Sequence, residues 1–311
     1  MEKDCGNHGR TPCEKVEEIK YVHTTETVSS LETLTKLTNE FNLNDFGWIF
    51  RGQRRASQCL ETTLEKKKVP SNDSWKLEAL ILREFTRRAY HYLNDASIPQ
   101  SILEWFSLMR HYGAPSRLLD CTYSFNAAQF FALRYLSQPN GCAAIWAISR
   151  EWLKDCRKEI FGANLSFKCS EEFYDHFLNP DNPREFVSEV NPFRINQRLT
   201  AQQGLFLCPG DVGKSFMQNL RKMAESVNPS DEKYHKGIIR IPVAFAIKER
   251  LVQVLHQMNI SAATLFPDLT GFAEAVGDWF YLPDKIRPSD PELIHALQNR
   301  SHDSSEERDE L

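Results

Sequence analysis

Arg110-His111-Tyr112-Gly113-Ala114-Pro115-Ser116-Arg117-Leu118-Leu119-Asp120-Cys121-Thr122-Tyr123-Ser124 gathers an imidazole, guanidinium groups, a carboxylate and hydroxyls around one turn. Upstream, Ser101 and Glu104 are a capping pair for a helix that Gly113 and Pro115 should stop. Downstream, an apolar helix is expected from Asn126 to Leu136. Each polar residue has a plain structural use. Arg117 could pair with Asp120, and Thr122 or Ser124 could N-cap the following helix. Together, so many polar groups beside an apolar helix point to a lined cleft. A Gly-x-Ser-x-Gly elbow is missing and Ser116 follows a proline, which argues against a Ser-His-Asp hydrolase.

Working outward, Ser29-Ser30-Leu31-Glu32 opens a helix carrying Leu31, Leu34, Leu37 and Phe41 at helical spacing. Gly47-Trp48-Ile49-Phe50 reads as a strand ending in Arg51 and Gly52. An arginine there needs an anionic partner, either a ligand or an acidic side chain, and Gly52 lets a ligand or another backbone come close. The lysines 66 to 68 read as a solvated loop, followed by a helix over about 75–94 with Leu77, Ile81, Phe85, Ala89 and Tyr92 inward. Cys142 to Ile148 is apolar enough for a strand covered on both faces. Residues 150–190 are less regular and suggest an insertion. Strands are expected at Leu205–Cys208 and Gly237–Ile241, and Pro242 is placed where a helix would start. The expectation is one α+β domain over 21–285, with a flexible N-terminus (1–20) and a polar tail (286–311).

Composition narrows the function classes. The chain has 311 residues, 41% hydrophobic and 26% charged, with 42 acidic against 38 basic side chains and a formal charge of -4. This suits a globular protein with a sizeable core and gives no overall polybasic footprint for nucleic acid. No apolar run approaches a membrane span, and the first twenty residues lack a signal-peptide core, so no membrane association and a cytosolic location are expected. The eight cysteines contain no Cys-x-x-Cys and are expected as reduced thiols, with Cys142 and Cys208 in the core. No bound metal is expected. The Asp-Glu-Leu ending resembles a retrieval signal that would go unread outside the secretory route.

A third polar cluster, Arg194-Ile195-Asn196-Gln197-Arg198-Leu199-Thr200-Ala201-Gln202-Gln203-Gly204, leads into the Leu205 strand. Its amides suit a ribose or a base edge but cannot act as general bases. By itself it is equally a polar entry to a core strand. P-loop, Rossmann and His-Glu-x-x-His patterns are absent.

In this order the clusters resemble the FRG domain family, named for the motif written here Phe50-Arg51-Gly52. Its Gln-His-Tyr-Gly-x-Pro-Thr-Arg-Leu-Leu-Asp-Trp-Thr signature is matched by residues 110–122, with Arg110 for Gln, Ser116 for Thr and Cys121 for Trp. The likeness extends to Ala128, Phe131 and Ala132, to Gln202–Phe206 and to Leu265–Leu269, about residues 45 to 275 in all. More weakly, the arrangement is similar to ADP-ribosyltransferases. That likeness implies a small mixed or antiparallel split sheet flanked by helices. It also implies NAD as substrate, a protein or nucleic-acid acceptor, and the role of an intracellular toxin or defence effector. Arg51 would anchor NAD, assisted by Gly52, Tyr112 and Arg117, while Thr122 and Ser124 shape the turn. Catalytic candidates are His111, Asp120, and Gln202 or Gln203 at the position where the superfamily has Glu. An amide offers only its dipole to a developing cation. So either another carboxylate (Asp120, Glu185 or Glu189) serves, or the fold binds a nucleotide or a nucleic-acid end without transfer.

Overall fold

Cys142–Ser149 forms an inner strand of the sheet, covered on both faces, and its alternation explains why almost every residue in it is apolar. Ala143, Ile145 and Ala147 face one helical layer while Ala144, Trp146 and Ile148 face the other. The computed structural model describes residues 21–43, 47–67, 71–94, 98–134, 136, 141–162, 173, 176–179, 181–228 and 236–282. The expectations for the two chain ends, for Cys5, Cys13 and Cys169 and for Lys68 lie outside them.

Seven strands make one sheet: β1 (His23–Thr24), β2 (Trp48–Gln53), β3 (Leu119–Thr122), β4 (Cys142–Ser149), β5 (Val187–Val190), β6 (Gly204–Pro209) and β7 (Ile238–Ala244). Their order is β1-β7-β4-β2-β3-β6-β5, antiparallel throughout except for the β1–β7 pair. The fold is thus mixed α and β around a single sheet. Against the expected split, the sheet is continuous, but its joint is thin: β2 and β3 share one registered pair, Phe50 with Thr122.

Helices cover both faces. On one side lie α1 (Leu31–Asn42) and α4 (Phe125–Leu133). Beyond them come α8 (Lys248–Gln257), α9 (Ala262–Leu265) and α10 (Leu269–Asp278), packed around Phe50, Phe125 and Ile145. On the other side lie α2 (Ser71–Ala89), α3 (Ile102–His111), α5 (Arg150–Phe161) and α7 (Phe216–Ser226), packed around Phe106, Trp146, Trp152 and Phe216. A short α6 (Gln197–Ala201) leads into β6. Residues 150–190, expected as an insertion, contribute α5 and the edge strand β5.

Two local expectations change. Pro242 sits inside β7 opposite Ala144, and the next helix begins at Lys248 after a turn at Phe245–Ile247. Its carbonyl accepts from Val28 N at 2.8 Å on the side where β1 has already ended, so its lacking N–H breaks no regular ladder bond. The helix expected over 75–94 ends at Ala89, leaving Tyr92 exposed.

Cys121, Cys156 and Cys208 are buried free thiols, and burial pushes Cys121 and Cys156 up to about 12. Cys59, against the expectation, is disulfide-bonded. No helix among the described residues is long and apolar enough to cross a membrane.

Candidate functional site

The site lies where β2 and β3 part. Past the Phe50–Thr122 pair the ladder is replaced by a side chain: Arg51 donates from Nη1 to the Asp120 carbonyl. The same guanidinium stands 4.0 Å from Asp120 Oδ2. Arg110, in the last turn of α3, donates to Oδ2 from Nε at 2.8 Å and also from Nη2. Two guanidinium groups therefore share one carboxylate, leaving one positive charge in excess. Side-chain exposures of 23%, 23% and 40% for Arg51, Arg110 and Asp120 keep the cluster within reach of solvent.

Gly52 serves the helix above it. A Cβ there would stand 2.1 Å from the Ala128 carbonyl and 2.5 Å from the Ala132 amide, so α4 crosses β2 in direct backbone contact. The close approach expected at this glycine is thus to another backbone. Ser124 is the N-cap of α4, accepting from Ala127 N at 3.2 Å. Thr122 is buried. Its hydroxyl donates to the Gln202 carbonyl at 2.7 Å and accepts from Ser124 N at 2.9 Å. It ties the β3 turn to the entry of β6.

Gln202 lies beside that turn, but its amide is engaged, donating to the Leu265 carbonyl at 3.0 Å. Gln203 has φ 46 and accepts from Tyr123 N at 3.0 Å through its carbonyl. His111 faces Arg198 and Asp268. Burial, then Arg198, pull its pKa below the ordinary histidine value, and Asp268 opposes them, so the ring is neutral near pH 7. Tyr112 is exposed and meets the His111 ring edge-on at 4.8 Å.

Arg117 is displaced from the ligand role expected of it. It is fully buried, gripping Glu78 of α2 through Nε (2.7 Å) and Nη2, and donating to the Phe177 carbonyl. Trp75 stacks on its guanidinium at 5.0 Å. The pairing of Arg117 with Asp120 does not form: Glu78 holds Arg117, and Arg110 takes its place on Asp120. Glu189 is likewise held, by Arg150 Nε at 2.9 Å.

Three residues were given no role at the site by the sequence: Arg110, Glu78 and Phe266. Phe266 is sandwiched between Arg134 (4.3 Å) and Arg198 (4.2 Å). Arg110 was legible as a departure from the family's Gln. Glu78 had no signal beyond its place beside the apolar stripe of α2.

A family model of the FRG domain matches residues 47–141. The chain carries an FRG domain. Arg51, Arg110, Asp120, Thr122 and Ser124 all lie within the FRG domain match, whereas Gln202 and Phe266 lie beyond it. No curated protein and no solved structure matches this chain. Among the described residues no group of three or more His, Cys, Asp or Glu could hold a metal ion.

Proposed function

We propose that the FRG domain of this chain binds a nucleotide through its phosphates at the seam between β2 and β3, with NAD and ADP-ribose as the ligand class. The observation that carries this reading is the convergence of Arg51 and Arg110 on Asp120 with a positive charge in excess and all three groups reachable. Guanidinium forks match phosphate oxygens bidentately, so a pyrophosphate can replace the carboxylate as their acceptor. Neutral His111 and exposed Tyr112 follow Arg110 directly and offer ring faces toward a base or nicotinamide.

Binding is favoured over glycosyl transfer by the state of the carboxylates and amides. The Gln202 amide is committed to Leu265 and Glu189 to Arg150. Neither is left to face a developing oxocarbenium ion, and whether Asp120, once the pyrophosphate displaces it, serves instead is what nicotinamide release reads. Calorimetric titration with NAD and ADP-ribose tests the proposal. Wild type should bind both without releasing nicotinamide, and Arg110→Ala should bind roughly tenfold or more weakly, since a charge-assisted bond is lost. Equal affinity in wild type and variant, or no binding, rejects the seam as the site. Nicotinamide release would replace the binding reading with transfer.

A further inference from the structure

Arg157 is a second arginine with an unusual environment, on α5 and outside the seam. Only 7% of it is exposed. Among the described residues its one hydrogen bond runs from Nη1 to the Ser188 hydroxyl at 2.9 Å. The Ser188 proton is itself directed to the Glu189 carbonyl at 3.1 Å, so Ser188 offers Arg157 a lone pair and no charge. No carboxylate of a described residue lies within 4 Å of this guanidinium; Glu189, the nearest acidic group acting on it, is taken by Arg150 through Nε (2.9 Å) and Nη2 (3.4 Å). Arg150 stands seven residues earlier on the same helix, hence on the same face.

The contrast with Arg117 is informative. That residue is buried even more completely but has a bidentate carboxylate. A buried guanidinium cannot shed its proton near neutral pH and is costly without a counter-charge. Arg150, Glu189 and Arg157 together hold one positive charge in excess around Ser188. Burial, offset by Glu189 and joined by Arg150, pulls the Arg157 pKa below that of a free guanidinium, as expected for a cation lacking its anion.

We infer that Arg157 is the floor of an oxyanion site between α5 and the edge strand β5, taking a phosphate group, with Arg150 at its rim. A tetrahedral dianion supplies acceptors for the N–H groups that Ser188 does not use. The group can come from inorganic phosphate or from a nucleoside monophosphate, and both are used as probes.

Thermal unfolding and calorimetry of the full chain are followed with inorganic phosphate and with AMP, against chloride at matched ionic strength. Wild type should be stabilised by phosphate beyond chloride. Arg157→Met, which removes the buried charge but keeps the volume, should lose roughly tenfold or more of that affinity while remaining folded in phosphate-free buffer. Arg110→Ala should keep it, which separates this site from the seam. AMP binding more tightly than phosphate, and losing affinity in Arg157→Met, assigns the group to a nucleotide. Should Arg157→Met unfold, Arg157→Lys replaces it and must show weakened phosphate binding. Equal phosphate affinity in wild type and the folded variant overturns the inference, as does stabilisation matched by chloride.

Discussion

Glu65→Gln should make the protein markedly more stable at alkaline pH while changing little in acid. Glu65 opens a short turn, Glu65–Lys67, after β2, and its Oε2 accepts from Phe216 N (3.1 Å), the first residue of α7, and from Thr62 N (3.4 Å). Burial raises its pKa from 4.5 to about 7; the Phe216 amide opposes this and nearby Glu61 adds to it. A folded pKa above the unfolded one means that between about 4.5 and 7 the native state holds a proton that the unfolded state has released. Stability therefore falls as pH rises through that window, by up to about 3 kcal/mol once above the folded pKa. Glutamine keeps an oxygen for Phe216 N and cannot ionise. Denaturant unfolding of wild type and variant at a series of pH values isolates this one group. Their difference should be small near pH 4, grow through neutrality and level off above about pH 8 at roughly 3 kcal/mol. Parallel stability profiles would refute the reasoning, and a variant that loses ground as pH rises would reverse its sign.

Glu78→Ala should strand Arg117 as a buried unpaired cation and cost about 3–5 kcal/mol in chemical denaturation; pairing it with Arg117→Met should recover most of that loss, because no charge then remains buried. Gly52→Ala forces a methyl into the Ala128 carbonyl and should destabilise by about 1–3 kcal/mol, or more if α4 cannot move away, with the same assay as readout.

The parts of the fold legible in the sequence are those fixed by local physics. Ser30, Ser101 and Ser124 cap the helices their spacing announced, and the apolar run over 142–148 is the doubly covered strand. Local reading failed where long-range pairing decides. Pro242 belongs to a strand because β1 stops short of it, which nothing near residue 242 reveals. At the site, turn chemistry offered Thr122 or Ser124 as the cap of the following helix; Ser124 takes it, while Thr122 bonds the Gln202 carbonyl and Ser124 N. The same reading offered Arg117 as the partner of Asp120, where Arg110, seven residues earlier, takes that place. That choice depends on Glu78, contributed by a helix 39 residues away in sequence, drawing Arg117 into the core. Similarly, Gln202 is marked as polar in the sequence, but its commitment to the Leu265 carbonyl follows only from how α9 lies beside α6, which Gln202 ends.

The central claim is that the β2–β3 seam receives phosphate through Arg51 and Arg110. A crystal structure of the full chain grown with ADP-ribose tests it most directly. The pyrophosphate should be seen within hydrogen-bonding distance of both guanidinium groups, with Asp120 turned away from at least one of them. A ligand bound elsewhere, or a seam with the Arg51–Asp120–Arg110 contacts unchanged at saturating ligand, would contradict it.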